Sequence, residues 1–327
     1  MQNQEIAKYQ SILESIDSAQ NILLITHFNP DGDGISSLCS MMNWLLSIGK
    51  MAEGYCLHQP PAMLGYLPGI EKIKFGSIET LGLDFEKYDI FIVLDCGSLS
   101  RTGIADMLKA KQPRQKIIEI DHHPKIDDYA DIELRSTEAA ATAELVYQFY
   151  KINHIKITKD MAMCLLTGIL TDTANFFYPS TSIATVSIAA DLILRGARLP
   201  QITENTLRNK SLNGLKLWGQ IMANIRINPK YDFAVTILPQ EEREKSTVPK
   251  EELDGISGFL SNLYGVKGIL FLQEEADGSI RGNLRTASPL IDISKLARLL
   301  GGGGHPKAAG FSIKGRLVDR GGEWQIA

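Results

Sequence analysis

The sequence predicts an α/β protein in two parts: a parallel-sheet N-terminal domain with flanking helices, then a smaller α/β C-terminal domain with a mixed sheet. Three observations predict it. Short apolar, β-rich runs alternate with helix-patterned stretches through the first half, as βαβ units do. The composition changes near Tyr231, where strand-like runs at residues 233–238, 266–273 and 279–286 succeed one another, the last two joined by an Asp277-Gly278 hairpin signal. A chain of 327 residues that is 44% hydrophobic and 22% charged has material for two globular cores. The expected division is residues 1–190, a helical connection at 191–225, and residues 226–327.

The elements follow in order. Ile6, Tyr9, Ile12 and Ile16 share a helical face in a polar N-terminal stretch that lacks the apolar core of a signal peptide. A first apolar run, residues 22–26, ends in His27-Phe-Asn-Pro-Asp31-Gly-Asp33-Gly34, and residues 36–48 read as the helix after it. A second run, residues 89–94, ends in Asp95-Cys96-Gly97-Ser98; a third, residues 116–120, ends in Asp121-His122-His123-Pro124. An almost continuous apolar helix from Met161 then reaches Thr171-Asp172-Thr173. Residues 183–225 look helical, punctuated by Gly196 and Pro200. A helix over residues 291–300 leads into Gly301-Gly-Gly-Gly304-His305-Pro-Lys-Ala-Ala-Gly310 and a final strand. No stretch is apolar for long enough to span a bilayer. Cys39, Cys56, Cys96 and Cys164 show no C-x-x-C spacing and read as reduced, packed thiols, so the expected location is the cytoplasm.

In open parallel sheets, ligands bind in the crevice beyond the carboxyl ends of the strands. Three strand ends and one helix end would therefore bring His27, Asp31, Asp33, Asp95, Asp121, His122, His123 and Asp172 to one rim. Crowded carboxylates repel one another, and no lysine or arginine lies within these motif cores. Two divalent cations would balance Asp31, Asp33, Asp95 and Asp172, activate a water and polarise a phosphoryl oxygen. Carboxylate with imidazole and no thiolate suits Mn2+ best, with Mg2+ or another divalent ion as alternatives. Gly32 and Gly34 are expected to supply backbone freedom, letting Asp31 and Asp33 face different ions. Each motif alone has an ordinary explanation: a turn, a helix cap, a surface histidine. Four in order, three of them at strand ends, favour a metal site. The formal net charge of -4 argues against coating a long duplex while leaving room for a small phosphate ligand.

His27-x-Asn29-Pro30-Asp31-x-Asp33, Asp95-Cys96-Gly97, Asp121-His122-His123 and Thr171-Asp172-Thr173 together resemble the DHH phosphoesterase family. The glycine-rich motif ending at Gly310 resembles the family's DHH-associated C-terminal domain. Within the family the chain is similar to the two-domain nanoRNase type, which implies hydrolysis of very short oligoribonucleotides and of 3′-phosphoadenosine 5′-phosphate. The resemblance implies one metal on His27, Asp31 and Asp95, and another on Asp33, Asp95, His122 and Asp172, with Asp95 bridging. His123 would stay off the metals and act near the scissile phosphate, and Asp121 would orient a neighbour. Gly34-Ile-Ser-Ser departs from the family's usual Ala-x-Gly-Ser by exchanging small residues for small residues. A homodimer is the oligomeric state that the resemblance favours.

Arg281, Asn283 and Arg285 alternate along one expected strand and share a face, with Arg285 matching the family's substrate-binding arginine. Gly303, Gly304 and His305 are read as a backbone nest with an added donor, approaching an anion. A cleft between the domains would then admit a mononucleotide or dinucleotide and disfavour long chains. Arg101 reads equally as a substrate contact or a carboxylate's partner; His58 and His154 read as structural, Glu119 and Asp89 as solvated. The main rival is a cyclic di-AMP or pApA phosphodiesterase of the same family. An inorganic pyrophosphatase is weaker, since a Ser-Arg-Lys-Lys-type cluster is missing. A long-chain nuclease conflicts with the acidic charge, and a nucleotide-binding regulator with a dead site conflicts with the full ligand set.

Overall fold

A computed structural model describes residues 3–327 except Asn209, Asp254, Pro289, Gly321 and Gly322. The chain divides into two compact units, Met1–Arg208 and Asn209–Ala327. Among the described residues, the strands of the first unit are β1 (Asn21–Ile25), β2 (Met51–Cys56), β3 (Ile73–Phe75), β4 (Ile90–Leu94), β5 (Lys116–Asp121) and β6 (Ile132–Arg135). Its helices are α1 (Asn3–Ser18), α2 (Gly32–Ser47), α3 (Ile78–Leu81), α4 (Ala105–Lys109), α5 (Thr142–Ile152), α6 (Lys159–Asp172), α7 (Ile183–Leu194) and α8 (Leu199–Thr206). The strands pair in the order β3-β2-β1-β4-β5-β6, all parallel.

The apolar runs are continuous because the sheet is covered on both faces. Ile22 and Leu24 of β1 pack with Ile92, Leu94, Ile118 and Ile120 against residues of α1, α2, α5 and α6. Leu23 and Ile25 point the other way, with Phe91, Val93 and Ile117, onto Tyr88, Leu99, Ile104 and Leu108. Strand order reverses between β1 and β4, so the crevice at their carboxyl ends is the switch point where such sheets bind ligands.

Glu119 corrects its sequence reading. It lies inside β5 at 1% exposure and is not solvated. Its carboxylate accepts from Tyr129 Oη at 2.5 Å and pairs with Arg135 at 2.6 Å. Burial pushes its pKa up, and these two partners oppose that push. Asp89 is half-buried rather than fully solvated, its Oδ2 accepting from Gln20 N and Asn21 N at 2.9 Å, which fastens the start of β1.

The second unit holds β7 (Arg226–Asn228), β8 (Phe233–Leu238), β9 (Gly268–Glu274), β10 (Ser279–Arg285), β11 (Gly303–His305), β12 (Ala308–Lys314), β13 (Leu317–Arg320) and β14 (Glu323–Ile326). Its helices are α9 (Leu212–Ala223), α10 (Gln240–Ser246), α11 (Ile256–Leu260) and α12 (Ile293–Leu299). The larger sheet runs β11-β12-β10-β9-β8-β7. It is mixed, as expected: β8 and β9 are parallel and their neighbours antiparallel. Leu217 and Ile221 of α9 and Ile256 and Leu260 of α11 cover Ala234, Ile269 and Phe271, while Ile293 and Ala297 of α12 pack with Leu272, Leu284 and Phe311. Cys39, Cys56, Cys96 and Cys164 are buried free thiols, and among the described residues no helix is long and apolar enough to cross a membrane.

Candidate metal centre and substrate-binding face

Asp31 caps α2. Its Oδ1 accepts from Asp33 N at 3.1 Å and Gly34 N at 3.0 Å, which leaves Oδ2 beside His27 Nε2 at 3.5 Å. Gly32 and Gly34 serve a different purpose from the one expected of them. Both sit in the first turn of α2, and neither has a positive φ. A Cβ on Gly32 would strike the Thr171 side chain, and one on Gly34 the Thr26 hydroxyl. Close approach, not backbone freedom, demands glycine here. Asp33 is buried at 1% exposure, where Thr142 N donates to Oδ2 at 2.5 Å and Ala143 N to Oδ1 at 3.0 Å. The N-terminus of α5 therefore grips this carboxylate.

Asp95 follows β4 with φ 61, a left-handed conformation uncommon outside glycine. Its Oδ1 lies 3.4 Å from His122 Nε2 and accepts from Thr142 Oγ1 at 3.0 Å; its Oδ2 lies 3.8 Å from His27 Nε2. The carboxylate thus stands between two groups of potential ligands. His27, Asp31 and Asp95 form one, Asp33, His122 and Asp172 the other, and Asp95, His122 and His123 make a third that overlaps the second. Asp172, the last residue of α6, comes within 3.5 Å of His122 Nε2. His123 has a second partner: its backbone N–H, at 2.8 Å, and its Nδ1, at 2.9 Å, meet Asp121 Oδ1, while Nδ1 also lies 3.4 Å from Asp95 Oδ1.

The electrostatics show what is missing from this cluster. Burial raises the pKa of Asp95 well above the carboxylate range, and Asp33, Asp31, Asp121 and Asp172 push it the same way. Asp172 is pushed up to about 8 by burial, against the pull of His122. The buried His27 Nε2 has no hydrogen-bond partner, though two carboxylate oxygens lie just beyond reach. Among the described residues no lysine or arginine pairs with Asp31, Asp33, Asp95 or Asp172. Oxygen and imidazole donors converging without a cation fit a site for divalent ions.

Three residues beyond the predicted set shape this site. Thr142 is the first, and its only sequence signal was a threonine at the head of an amphipathic helix. His58 Nδ1 lies 2.7 Å from Asn29 Oδ1, and its ring meets Phe28 edge-on, so it braces the first motif. The Arg101 guanidinium lies beside Gly97, where an added Cβ would come within 3.2 Å of Nη1, and its charge is among those that lower the pKa of Asp31.

In the second unit, strand register assembles the predicted residues. Arg285 of β10 pairs with Ala308 of β12, which pairs with His305 of β11. Directly opposed residues project to the same face, so Arg285 and His305 flank a methyl group, roughly 10 Å apart across two strand spacings. The adjacent same-face row is Asn283, Gly310 and Gly303. The glycine run is an edge strand and not the expected nest. A Cβ on Gly302 would collide with the backbone of Gly310 and Phe311, and one on Gly304 would come within 2.6 Å of the Ala308 carbonyl oxygen. Gly303 has open space instead. Arg285 Nη1 donates to the Leu284 carbonyl at 2.9 Å, while its buried Nε has no partner.

An acidic, imidazole-bearing cluster at the switch point of a parallel sheet is the equipment of a hydrolase working on anionic esters. Residues 21–169 match the DHH family, N-terminal domain, and residues 231–321 match the DHHA1 domain. The chain belongs to the DHH family and is a hydrolase acting on phosphoester bonds. It is 28% identical over 306 residues to a bifunctional oligoribonuclease and PAP phosphatase NrnA of Bacillus subtilis, covering 92% of each chain. It is also 28% identical over 299 residues to the NrnA of Thermus thermophilus, covering 91% of this chain and 86% of that one. An exopolyphosphatase-related protein from Bacteroides fragilis has a similar structure: TM-score 0.86, 26% identity, 94% of this chain and 92% of that one.

Proposed function

We propose that the chain is a two-cation phosphodiesterase and phosphatase acting on oligoribonucleotides of two to a few residues and on 3′-phosphoadenosine 5′-phosphate. Its NrnA relatives are named as bifunctional oligoribonuclease and PAP phosphatase. The observation that carries the reading is Asp95, whose two oxygens face two separate ligand groups. Divalent cations held by His27, Asp31 and Asp95 and by Asp33, Asp95, His122 and Asp172 would supply charge neutralisation, polarised phosphoryl oxygens and an activated water. Mn2+ matches the mixed donor set best.

The chain's own groups do the rest. Thr142 and the α5 N-terminus hold Asp33 and Asp95 in place before any ion arrives. Asp121 Oδ1, 2.9 Å from His123 Nδ1, orients the ring and leaves Nε2 to face the phosphate or the departing oxygen. Arg285 offers a planar fork and His305 a further donor, separated by Ala308 and Gly310, which leave room for a phosphate. Gly303 and Gly304 bring their backbone to the same edge. A face that holds one phosphate suits short substrates better than long ones.

The test is a substrate panel with Mn2+ and Mg2+ in parallel: pApA, 3′-phosphoadenosine 5′-phosphate, cyclic di-AMP, a 24-nucleotide RNA (~24, chosen only as long) and pyrophosphate. Fastest turnover on pApA and on 3′-phosphoadenosine 5′-phosphate supports the reading. Preference for cyclic di-AMP, long RNA or pyrophosphate sinks it.

A further inference from the structure

Arg135, at the end of β6, belongs to neither ligand group, yet it touches what surrounds them. Its side chain is 9% exposed. Nη2 pairs with Glu119 at 2.6 Å and Nε with Glu133 at 2.8 Å. Those two carboxylates would satisfy a cation whose purpose is structural. Nη1 goes further: it donates to the backbone carbonyl of His123 at 2.5 Å and stands 3.7 Å from Asp121 Oδ2. The pairing of β5 with β6 sets Asp121 directly opposite Arg135, so this reach is built into the register.

Asp121 is thereby held from both ends. Its Oδ1 takes both His123 N–H groups, while its Oδ2 accepts from Gly97 N and faces the guanidinium. A fully buried carboxylate needs such partners, and with both its oxygens engaged Asp121 fixes where the His123 ring stands.

We propose that Arg135 is a positioning residue for His123: with Nε and Nη2 anchored on Glu133 and Glu119, its Nη1 donates to the His123 carbonyl and faces Asp121, and so fixes the imidazole with Nδ1 toward Asp121 and Nε2 toward the substrate. The inference rests on His123 acting on the substrate, as proposed above. Lysine keeps the charge but cannot hold Glu119, Glu133 and the His123 carbonyl at once from one planar group.

The experiment uses the full chain with Mn2+ and pApA, comparing Arg135→Met, Arg135→Lys, Tyr129→Phe and His123→Ala. Arg135→Met is expected to lower kcat about 10- to 100-fold with KM within about twofold. Calorimetric Mn2+ affinity stays at the wild-type value, and added guanidinium restores part of the rate. Nitrogen-15 spectra of the His123 ring pass from a single Nδ1–H form to a mixture. Arg135→Lys falls between, and Tyr129→Phe, which loosens Glu119 alone, keeps the wild-type rate. Wild-type kcat and ring spectrum in Arg135→Met overturn the inference, as does an equal loss in Tyr129→Phe. If Arg135→Met does not fold, Arg135→Lys decides: wild-type rate and ring spectrum there overturn it. Full activity in His123→Ala means the reading of His123 has failed; a crippled His123→Ala beside normal Arg135 variants means only this inference has.

Discussion

In the first unit the polar groups come from four separate segments and meet as buried carboxylates and imidazoles; in the second, three adjacent strands present an arginine, an asparagine and a histidine over glycine and alanine. The first arrangement is unstable in its charge without an added cation, since Asp95 and Asp172 are both pushed up by burial. The second is shaped by packing: Gly302 and Gly304 admit the neighbouring backbone, and the buried Arg285 Nε is left without a partner. One site stores electrostatic demand, while the other provides shape. Chemistry is accordingly expected from the first and affinity from the second.

The strongest way to break this contrast is at Asp95. Asparagine tolerates the left-handed backbone there. Asp95→Asn is therefore expected to keep the fold by circular dichroism while cutting kcat by at least roughly 10³-fold. Activity within tenfold (~10) of wild type would remove the bridging role. Arg285→Met should act on the other quantity, raising KM for pApA about 10- to 100-fold with a smaller change in kcat. A pure kcat defect would erase the division of labour.

Glycines sharpen the comparison. Gly304→Ala is expected to destabilise the second unit by about 2–3 kcal/mol in urea unfolding, because the new methyl meets backbone, whereas Gly303→Ala stays within about 0.5 kcal/mol. Equal effects at both positions would contradict the packing account. The pH response separates the units too. In metal-free protein the folded state holds Asp172 protonated up to about 8, above the ordinary carboxyl value of 3.8. That contribution is complete below the unfolded value and disappears as pH rises through the folded one. His122, raised by Asp172 and Asp33 against the effect of burial, acts in the same direction. Melting temperature without metal should thus fall between the two Asp172 values, 3.8 and about 8, and Mn2+ should flatten the slope. A flat profile without metal would show that the cluster is not under this strain. The smallest effect is expected at Ala174, left-handed at φ 48 just after Asp172, where Ala174→Gly should stabilise by about 0.5–1 kcal/mol.

Much of this was legible in the amino-acid order. Acidic residues at the ends of apolar runs marked the rim because strands alternate locally and end visibly. Asp95, Asp121 and His122 therefore needed no tertiary knowledge to be singled out. The alternation of Arg281, Asn283 and Arg285 revealed a shared face for the same reason. What stayed hidden depends on which strands become neighbours. Glu119 passed for a solvated residue because its partner, Arg135, is supplied by β6, whose pairing with β5 leaves no local trace. The purpose of Gly32 and Gly34 was misread because glycine signals freedom and close approach with the same letter. Thr142 meets Asp33 and Asp95 only once α5 is laid beside the sheet ends.

The crossing of α2 and α6 has one more consequence. Gly32 admits Thr171, and Gly168 of α6 lies so near Asp33 and Ser36 that a methyl there would crowd both. The segments bearing Asp31, Asp33 and Asp172 are thus bolted to one another through the hydrophobic interior rather than through adjustable loops. On the proposed two-cation reading, the spacing offered to the ions would work like a fixed gauge, cut by helix packing. Changes deep in the interior, among Leu38, Cys164 and Leu165, would register first as an altered preference among ionic radii, before the protein showed any loss of solidity.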